Sequence, residues 1–275
     1  MTTTVLVLAS TGKTGSRVAT ALTKRGLDVR TAARAGGDVR FDWDDPSTHG
    51  PALAGVDRLY LVPPVMRLDY AGSVSAFLDL AEAAGVRHVT FLSAYGVGQA
   101  PPWTPLRAVE LDLLGRDTPT HSLLRPAWFM QNFSETFLKP VGGEVVVPTG
   151  EGAEAFVDVE DIAAVAAETL ALPEAHAGAA YEITGPEALT VAEAAALIAA
   201  ATGKPLRHHD IDREVWIDAS VAAGVAAEYA DVLRTLTATI ASGAGSRPNR
   251  TVEEVTGTPP TTFADFARRT AGAWL

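Results

Sequence analysis

The sequence predicts an α/β protein with a doubly wound, parallel, Rossmann-like sheet and a smaller C-terminal lobe that covers a substrate. Three observations predict it. Short β-type runs alternate with helical patterns through the first half at the spacing of βαβ units. The first strand enters a helix through the glycine-containing turn Ala9-Ser10-Thr11-Gly12-Lys13-Thr14-Gly15. After Pro126 the strand–helix alternation gives way to a different texture, which marks the smaller lobe.

The elements follow in order. Residues 4–8 (TVLVL) are a compact apolar run suited to a strand buried on both faces. Residues 16–25 place Val18, Ala19 and Leu22 on one helical face and stop at Gly26. Residues 29–33 and 39–42 read as the next two strands, and 57–62 as a fourth closed by Pro63-Pro64. A helix over 71–84 ends at Gly85, and 88–92 (HVTFL) is a strand. Residues 110–114 lie in a helix, and 120–124 form a strand ended by Arg125-Pro126.

After Pro126 the texture changes. Residues 142–148 read as an edge strand or hairpin arm, 159–172 as a helix and 181–184 as a short strand. Thr190-Val191-Ala192-Glu193 is a capping box opening a helix that stops at Gly203. Residues 219–240 read as mostly helical, 243–248 as a loop, and 262–274 as a helix begun by a Thr cap. The expected division is 1–150 for the dinucleotide-binding part and 151–275 for the smaller lobe, as one composite unit without a linker.

Composition limits the chemistry. The 275 residues carry 22 Lys and Arg against 33 Asp and Glu, a net charge of −11, which argues against a nucleic-acid footprint. With no Cys there is no disulfide framework, thiolate metal site or thiol nucleophile. No metal is expected: His208-His209-Asp210 reads as a solvated loop, and Asp158, Glu160 and Asp161 as caps of the helix that follows. The N-terminus lacks a basic region and no apolar run reaches about 18 residues, so neither a leader nor a membrane span is expected. Cytoplasm is the expected compartment, and monomer or homodimer the expected state.

A dinucleotide turn needs small residues so that backbone N–H groups approach a pyrophosphate at the helix N-terminus. Gly12 and Gly15 have that spacing, and Ala9 stands where a first glycine is usual. Gly12-Lys13-Thr14 also looks like the end of a P-loop, but Val7 occupies the position that motif reserves for glycine. Arg34, with Lys13 in the neighbouring turn, favours the 2′-phosphate of NADP(H) over the 2′-hydroxyl of NAD(H).

The five Tyr (Tyr60, Tyr70, Tyr95, Tyr181, Tyr229) are followed four places on by Pro64, Val74, Gln99, Gly185 and Leu233, so no Tyr-x-x-x-Lys pair exists to lower a phenol pKa. Hydride delivery to a cationic acceptor such as an iminium needs no such acid. Ser93 and Tyr95, at the end of the fifth strand, are the candidate catalytic hydroxyls. Trp128, Phe129 and Met130 supply flat or flexible apolar surface, which reads either as packing between the two lobes or as a substrate pocket with Asn132 as a polar handle; with Trp103 these are the candidate substrate contacts.

On the stretches Gly12-Lys13-Thr14, Arg40-Phe41-Asp42-Trp43, Tyr60-Leu61-Val62-Pro63-Pro64, 124–134 (LRPAWFMQNFS) and 255–263 (VTGTPPTTF), the chain resembles the NmrA-like atypical short-chain dehydrogenases. It is most similar to the agroclavine/festuclavine dehydrogenase type. The resemblance implies an NADPH-dependent reductase of imine, iminium or conjugated C=C bonds in bulky aromatic compounds of secondary metabolism. It places Asp42 and Trp43 near the adenine. It makes Val62, Pro63 and Pro64 cofactor contacts, with Ser93, Ala94 and Tyr95 on the nicotinamide side; Thr11, Gly12, Lys13, Thr14 and Gly15 of the turn, Arg34 and Pro126 complete the expected cofactor contacts. Arg107 falls near a position where relatives carry Lys, and it is a further expected cofactor contact. A quinone or carbonyl reductase and a non-catalytic NADP(H) sensor are the alternatives.

Overall fold

A computed structural model describes residues 3–275. The described residues form two compact units: 3–126, 159–183 and 254–257 make the first, and 127–158, 184–253 and 258–275 the second. The expected boundary at 150/151 lies inside the segment 127–158 of the second unit, before the chain returns to the first unit at 159. The reason is a long-range pairing: β9 (Ala179–Ile183) lies in register beside β6 (Thr120–Pro126), with Leu124 opposite Tyr181.

In the first unit seven strands form one sheet in the order β3-β2-β1-β4-β5-β6-β9, every neighbouring pair parallel. The remaining strands are β1 (Thr4–Val7), β2 (Asp28–Ala33), β3 (Val39–Arg40), β4 (Arg58–Leu61) and β5 (His88–Leu92). β3 stops two residues sooner than expected because Asp42 turns toward Asp45. The helices are α1 (Lys13–Lys24), α2 (His49–Leu53), α3 (Ala71–Ala83), α4 (Pro105–Leu114), α6 (Val159–Ala171) and α7 (Pro173–His176). Strand order reverses at β1 and β4, which makes the carboxyl end of β1 the switch point where such sheets bind ligands.

The central strands are apolar on both faces, as a sheet covered by helices requires. Leu6, Leu59, Val89 and Phe91 join Val74, Phe77, Val109 and Leu113 of α3 and α4 in one buried cluster. α1 lies against α6 and buries Val18, Ala19 and Leu22, three residues on one helical face. Arg17 pairs with Glu160, and Arg25 with Glu168, between these helices.

The second unit contains α5 (Asn132–Glu135), α8 (Val191–Thr202), α9 (Arg213–Ala222), α10 (Ala230–Ala241) and α12 (Phe263–Thr270). The short α11 (Thr251–Thr256) spans the residue where the chain leaves it. Its strands form two small pairs: β7 (Glu144–Val146) with β11 (Arg207–His209), and β8 (Ala153–Glu154) with β10 (Leu189–Thr190). The expected capping box is present: Thr190 Oγ1 accepts from Glu193 N at 3.1 Å while Glu193 Oε2 accepts from Thr190 N at 2.8 Å. Thr262 likewise caps α12.

Two expectations are corrected here. His208 and His209 are not in a loop but in β11, whose hydrogen bonds to β7 hold them extended; among the described residues no group of His, Asp or Glu is arranged to hold a metal ion. The helix expected over 219–240 is broken, because Gly224 takes φ +104° and a short 3₁₀ turn precedes α10. No described helix is long and apolar enough to cross a membrane.

Candidate active site

β1 delivers the chain to the turn at the switch point. Ala9 has φ +51°, the left-handed conformation that favours glycine and that costs an L-residue about 1–2 kcal/mol. Gly12 N then donates to Ala9 O at 2.8 Å, and α1 begins at Lys13 with Gly12 as an N-cap that offers no side-chain hydrogen bond. The first-turn amides of α1 thus lack a side-chain cap, and a helix N-terminus in that state attracts an anion.

Gly15 is required for a separate reason. A Cβ there would fall 2.3 Å from Ala9 O and 2.7 Å from both Ala9 C and Leu8 O. Those are backbone atoms, so no rotamer relieves the clash, and only glycine lets α1 sit this close to the end of β1. Thr14 is buried beside it, and the Ser10 hydroxyl is buried with no hydrogen-bond partner among the described residues. Together these features form a cradle with an unclaimed polar atom, which fits a pyrophosphate.

The end of β2 lies against this turn. Ser10 N donates to Ala32 O at 3.1 Å, and a Cβ on Gly36 would lie 3.5 Å from Thr11 Cγ2. Arg34, on the loop between, is exposed and pairs with no other described residue. The one acid of that loop, Asp38, is committed: its carboxylate accepts from Thr31 N at 2.8 Å and Thr31 Oγ1 at 2.7 Å. Those bonds hold its pKa below the usual carboxylate value. The loop therefore presents an unpaired guanidinium and a carboxylate already occupied.

Trp43 and Val62 are brought together, Trp43 Nε1 donating to Val62 O at 3.3 Å. The indole stands edge-on to Phe41 and Phe77 at 5.0 and 5.3 Å between centroids, half-buried. Asp42 accepts from Asp44 N and offers its carbonyl to His49, while Pro63 and Pro64 are buried after β4.

The turn after β5 continues the parallel ladder: Ser93 N donates to Leu124 O at 2.7 Å and Tyr95 N to Pro126 O at 2.9 Å. Ser93 Oγ donates to Glu110 Oε1 at 2.7 Å, so its proton is committed within the protein. The Tyr95 hydroxyl is half-exposed and bonds to no described residue. Ala94 is half-buried beside it. Arg107 is aligned by Glu110, NH1 to Oε2, at 2.9 Å.

The proposed acceptor contacts do not behave alike. Trp103 is 81% exposed in the first unit, so it lines no enclosed surface. In the second unit, Met130 is buried in the core, whereas Trp128 and Phe129 are half-buried. Asn132 spends its Oδ1 on Thr136 Oγ1 at 3.0 Å.

Sequence reasoning passed over Glu110, Arg125 and Glu182, which meet beneath the turn after β5. Two signals pointed to them. An Arg near the end of a buried parallel strand needs a partner, and Glu110 sits between Val109 and Leu113 on the buried face of α4.

A parallel sheet with a glycine turn at its switch point, a free cation at the end of β2 and hydroxyls at the end of β5 defines a dinucleotide-fold protein. The chain belongs to the NmrA-like family, whose model matches residues 1–240. It is 36% identical to the uncharacterized oxidoreductase YesF of Bacillus subtilis, over 98% of this chain and 96% of that protein. It is 32% identical to the NAD(P)H azoreductase of Xenophilus azovorans, over 98% and 99%. It is 31% identical to festuclavine synthase II of Penicillium roqueforti, again over 98% and 99%.

Proposed function

We propose that this oxidoreductase uses NADPH to reduce a C=N (imine or iminium) or conjugated C=C bond in a hydrophobic, aromatic small molecule. The observation that carries the reading is the pairing of the Gly12/Gly15 cradle with an unpaired Arg34 on the adjoining loop. Thr11, Gly12, Lys13, Thr14 and Gly15 would hold the pyrophosphate through backbone N–H groups, and Arg34 the 2′-phosphate. Trp43, Asp42, Val62, Pro63 and Pro64 would flank the adenosine half. Ser93, Ala94, Tyr95 and Pro126 would flank the reactive half.

Bound NADPH supplies the hydride. The residues contribute orientation and little acid chemistry: the Ser93 hydroxyl is engaged as a hydrogen-bond donor to Glu110, and no Lys follows Tyr95 at the usual spacing. An iminium carbon accepts hydride and becomes a neutral amine with no protein proton required. Names among the relatives support unsaturated nitrogen acceptors, an azo compound in one.

Stopped-flow oxidation of NADPH by cyclic iminium salts tests the reading. Rapid oxidation is expected; bound NADPH without turnover of any iminium salt would remove the C=N claim. A second reading, quinone or carbonyl reduction with Tyr95 as acid, is favoured by the unclaimed Tyr95 hydroxyl. Tyr95→Phe separates the two. Iminium reduction should survive, whereas carbonyl reduction should fall by about 10²–10⁴-fold.

A further inference from the structure

Beneath the turn after β5 lies a carboxylate with nothing left to give. Glu110, on α4, is 0% exposed. Its Oε1 accepts from Ser93 Oγ at 2.7 Å and Arg125 Nε at 2.8 Å. Its Oε2 accepts from Arg125 NH2 and Arg107 NH1, both at 2.9 Å. A carboxylate offers about four lone-pair sites, so this one is saturated. Burial alone would raise its pKa, but the bonds from Arg125, Ser93 and Arg107 outweigh that and hold it below the usual range. Glu110 is neither reachable by a substrate nor able to take a proton from one.

It can act only through what it grips, and that is the segment Ser93–Gly98. Ser93 is tied by its hydroxyl. Arg125, held flat by two bonds to Glu110, reaches Glu182 Oε1 with NH1 at 3.4 Å, and Glu182 Oε2 accepts from Gly96 N at 3.3 Å. Gly98 lies on the same guanidinium: a Cβ there would fall 2.6 Å from Arg125 NH1. The turn is thus bonded at Ser93 to Glu110 and at Gly96 to Glu182, with Gly98 packed too closely on the Arg125 guanidinium to carry a side chain and Tyr95 between the two bonded positions.

We propose that Glu110 is the positioning residue of the hydride-transfer site, fixing the Ser93–Gly98 turn and the Arg107 guanidinium so that reactive ring and acceptor meet in one orientation. This rests on the NADPH reading above. It assigns Ser93 to the anchor of the turn and not to proton donation.

The test compares wild type, Ser93→Ala, Ser93→Thr and Glu110→Gln. For each, NADPH-binding stoichiometry, kcat per binding site, and the fidelity of transfer from stereospecifically deuterated NADPH are measured. Glu110→Gln puts donors against Arg125 and Arg107, while Ser93→Ala removes one anchor only. Lost positioning predicts kcat per site lowered by about 10–100-fold and a product carrying mixed isotope, because misplacement of about 1 Å costs on that scale. Ser93→Thr restores the hydroxyl and should restore fidelity. A loss confined to binding stoichiometry, with kcat per site and isotope fidelity at wild-type values, would overturn the proposal. If Glu110→Gln fails to fold, Ser93→Ala with its Thr rescue decides alone. Wild type that binds no NADPH, or binds it without hydride transfer, would instead remove the functional reading and this proposal with it.

Discussion

The substitution Gly15→Ala puts the geometry of the switch point to a direct test. The added methyl meets Ala9 O at 2.3 Å, and an ordinary contact starts at 3.4 Å. The start of α1 must therefore withdraw from the end of β1 by about 1 Å, since the opposing atoms are backbone and cannot rotate aside. Such overpacking costs roughly 1–3 kcal/mol of stability. It also lifts the first-turn amides of α1 from their cradle, and a displacement of that size corresponds to a loss of about 10²-fold in functions that depend on placement. Gly12→Ala is the internal control: its Cβ would lie 3.1 Å from Ala9 O, a contact that a shift of a few tenths of an ångström relieves. Calorimetric titration with NADPH and thermal melting of both variants give the comparison. Gly15→Ala is expected to bind far more weakly than Gly12→Ala and to melt lower. If Gly15→Ala keeps its melting temperature and binds NADPH within about twofold of wild type, the close approach of helix and strand has no bearing on the site.

Further expectations concern charge, backbone and pH. Arg34→Ala should weaken NADPH binding by at least tenfold, about 1.4 kcal/mol, and leave NADH nearly unchanged in parallel titrations; equal discrimination by variant and parent would refute the 2′-phosphate assignment. Ala9→Gly relieves a residue at φ +51° and should stabilise the protein by about 1 kcal/mol, read as a rise in denaturation midpoint. Burial depresses the His88 pKa from 6.5 to about 3. Between those values the unfolded chain binds a proton that the folded one refuses, so stability is full above 6.5 and falls by up to about 1.4 kcal/mol per pH unit below it. Burial of Glu154 works the other way, raising its pKa to about 7. Its share of stability is full below 4.5 and is lost as pH rises to 7, so Glu154→Gln should gain on wild type across that window in urea titrations. A constant difference between the two would remove the assignment.

How much was legible in the sequence depended on range. The strands and helices of the first unit are periodic over short windows, and Thr190 and Glu193 announce their capping box within four residues. The glycine turn was legible for the same reason. Strands such as β8 and β10 were not, because two residues in each carry no period and their pairing joins Glu154 to Leu189 across the chain. The histidines of β11 looked like a loop until β7 was there to pair with them. Glu110 was hidden because its meaning lies in Ser93, Arg107 and Arg125, brought together by three different elements. Residue type did not disclose environment either: Trp103 is exposed and Met130 is buried in the core.

The seventh strand of the sheet carries a consequence for synthesis. Because β9 arrives only at residues 179–183, a nascent chain that has just emerged through Pro126 holds a sheet whose β6 edge is still open. Open edges are templates for illegitimate pairing with other chains. A ribosome adding about 5–20 residues per second leaves that edge bare for several seconds before the missing neighbour can dock. Expression fragments cut anywhere between 127 and 178 freeze the molecule in that interval, and should precipitate where a fragment running through Ile183 does not.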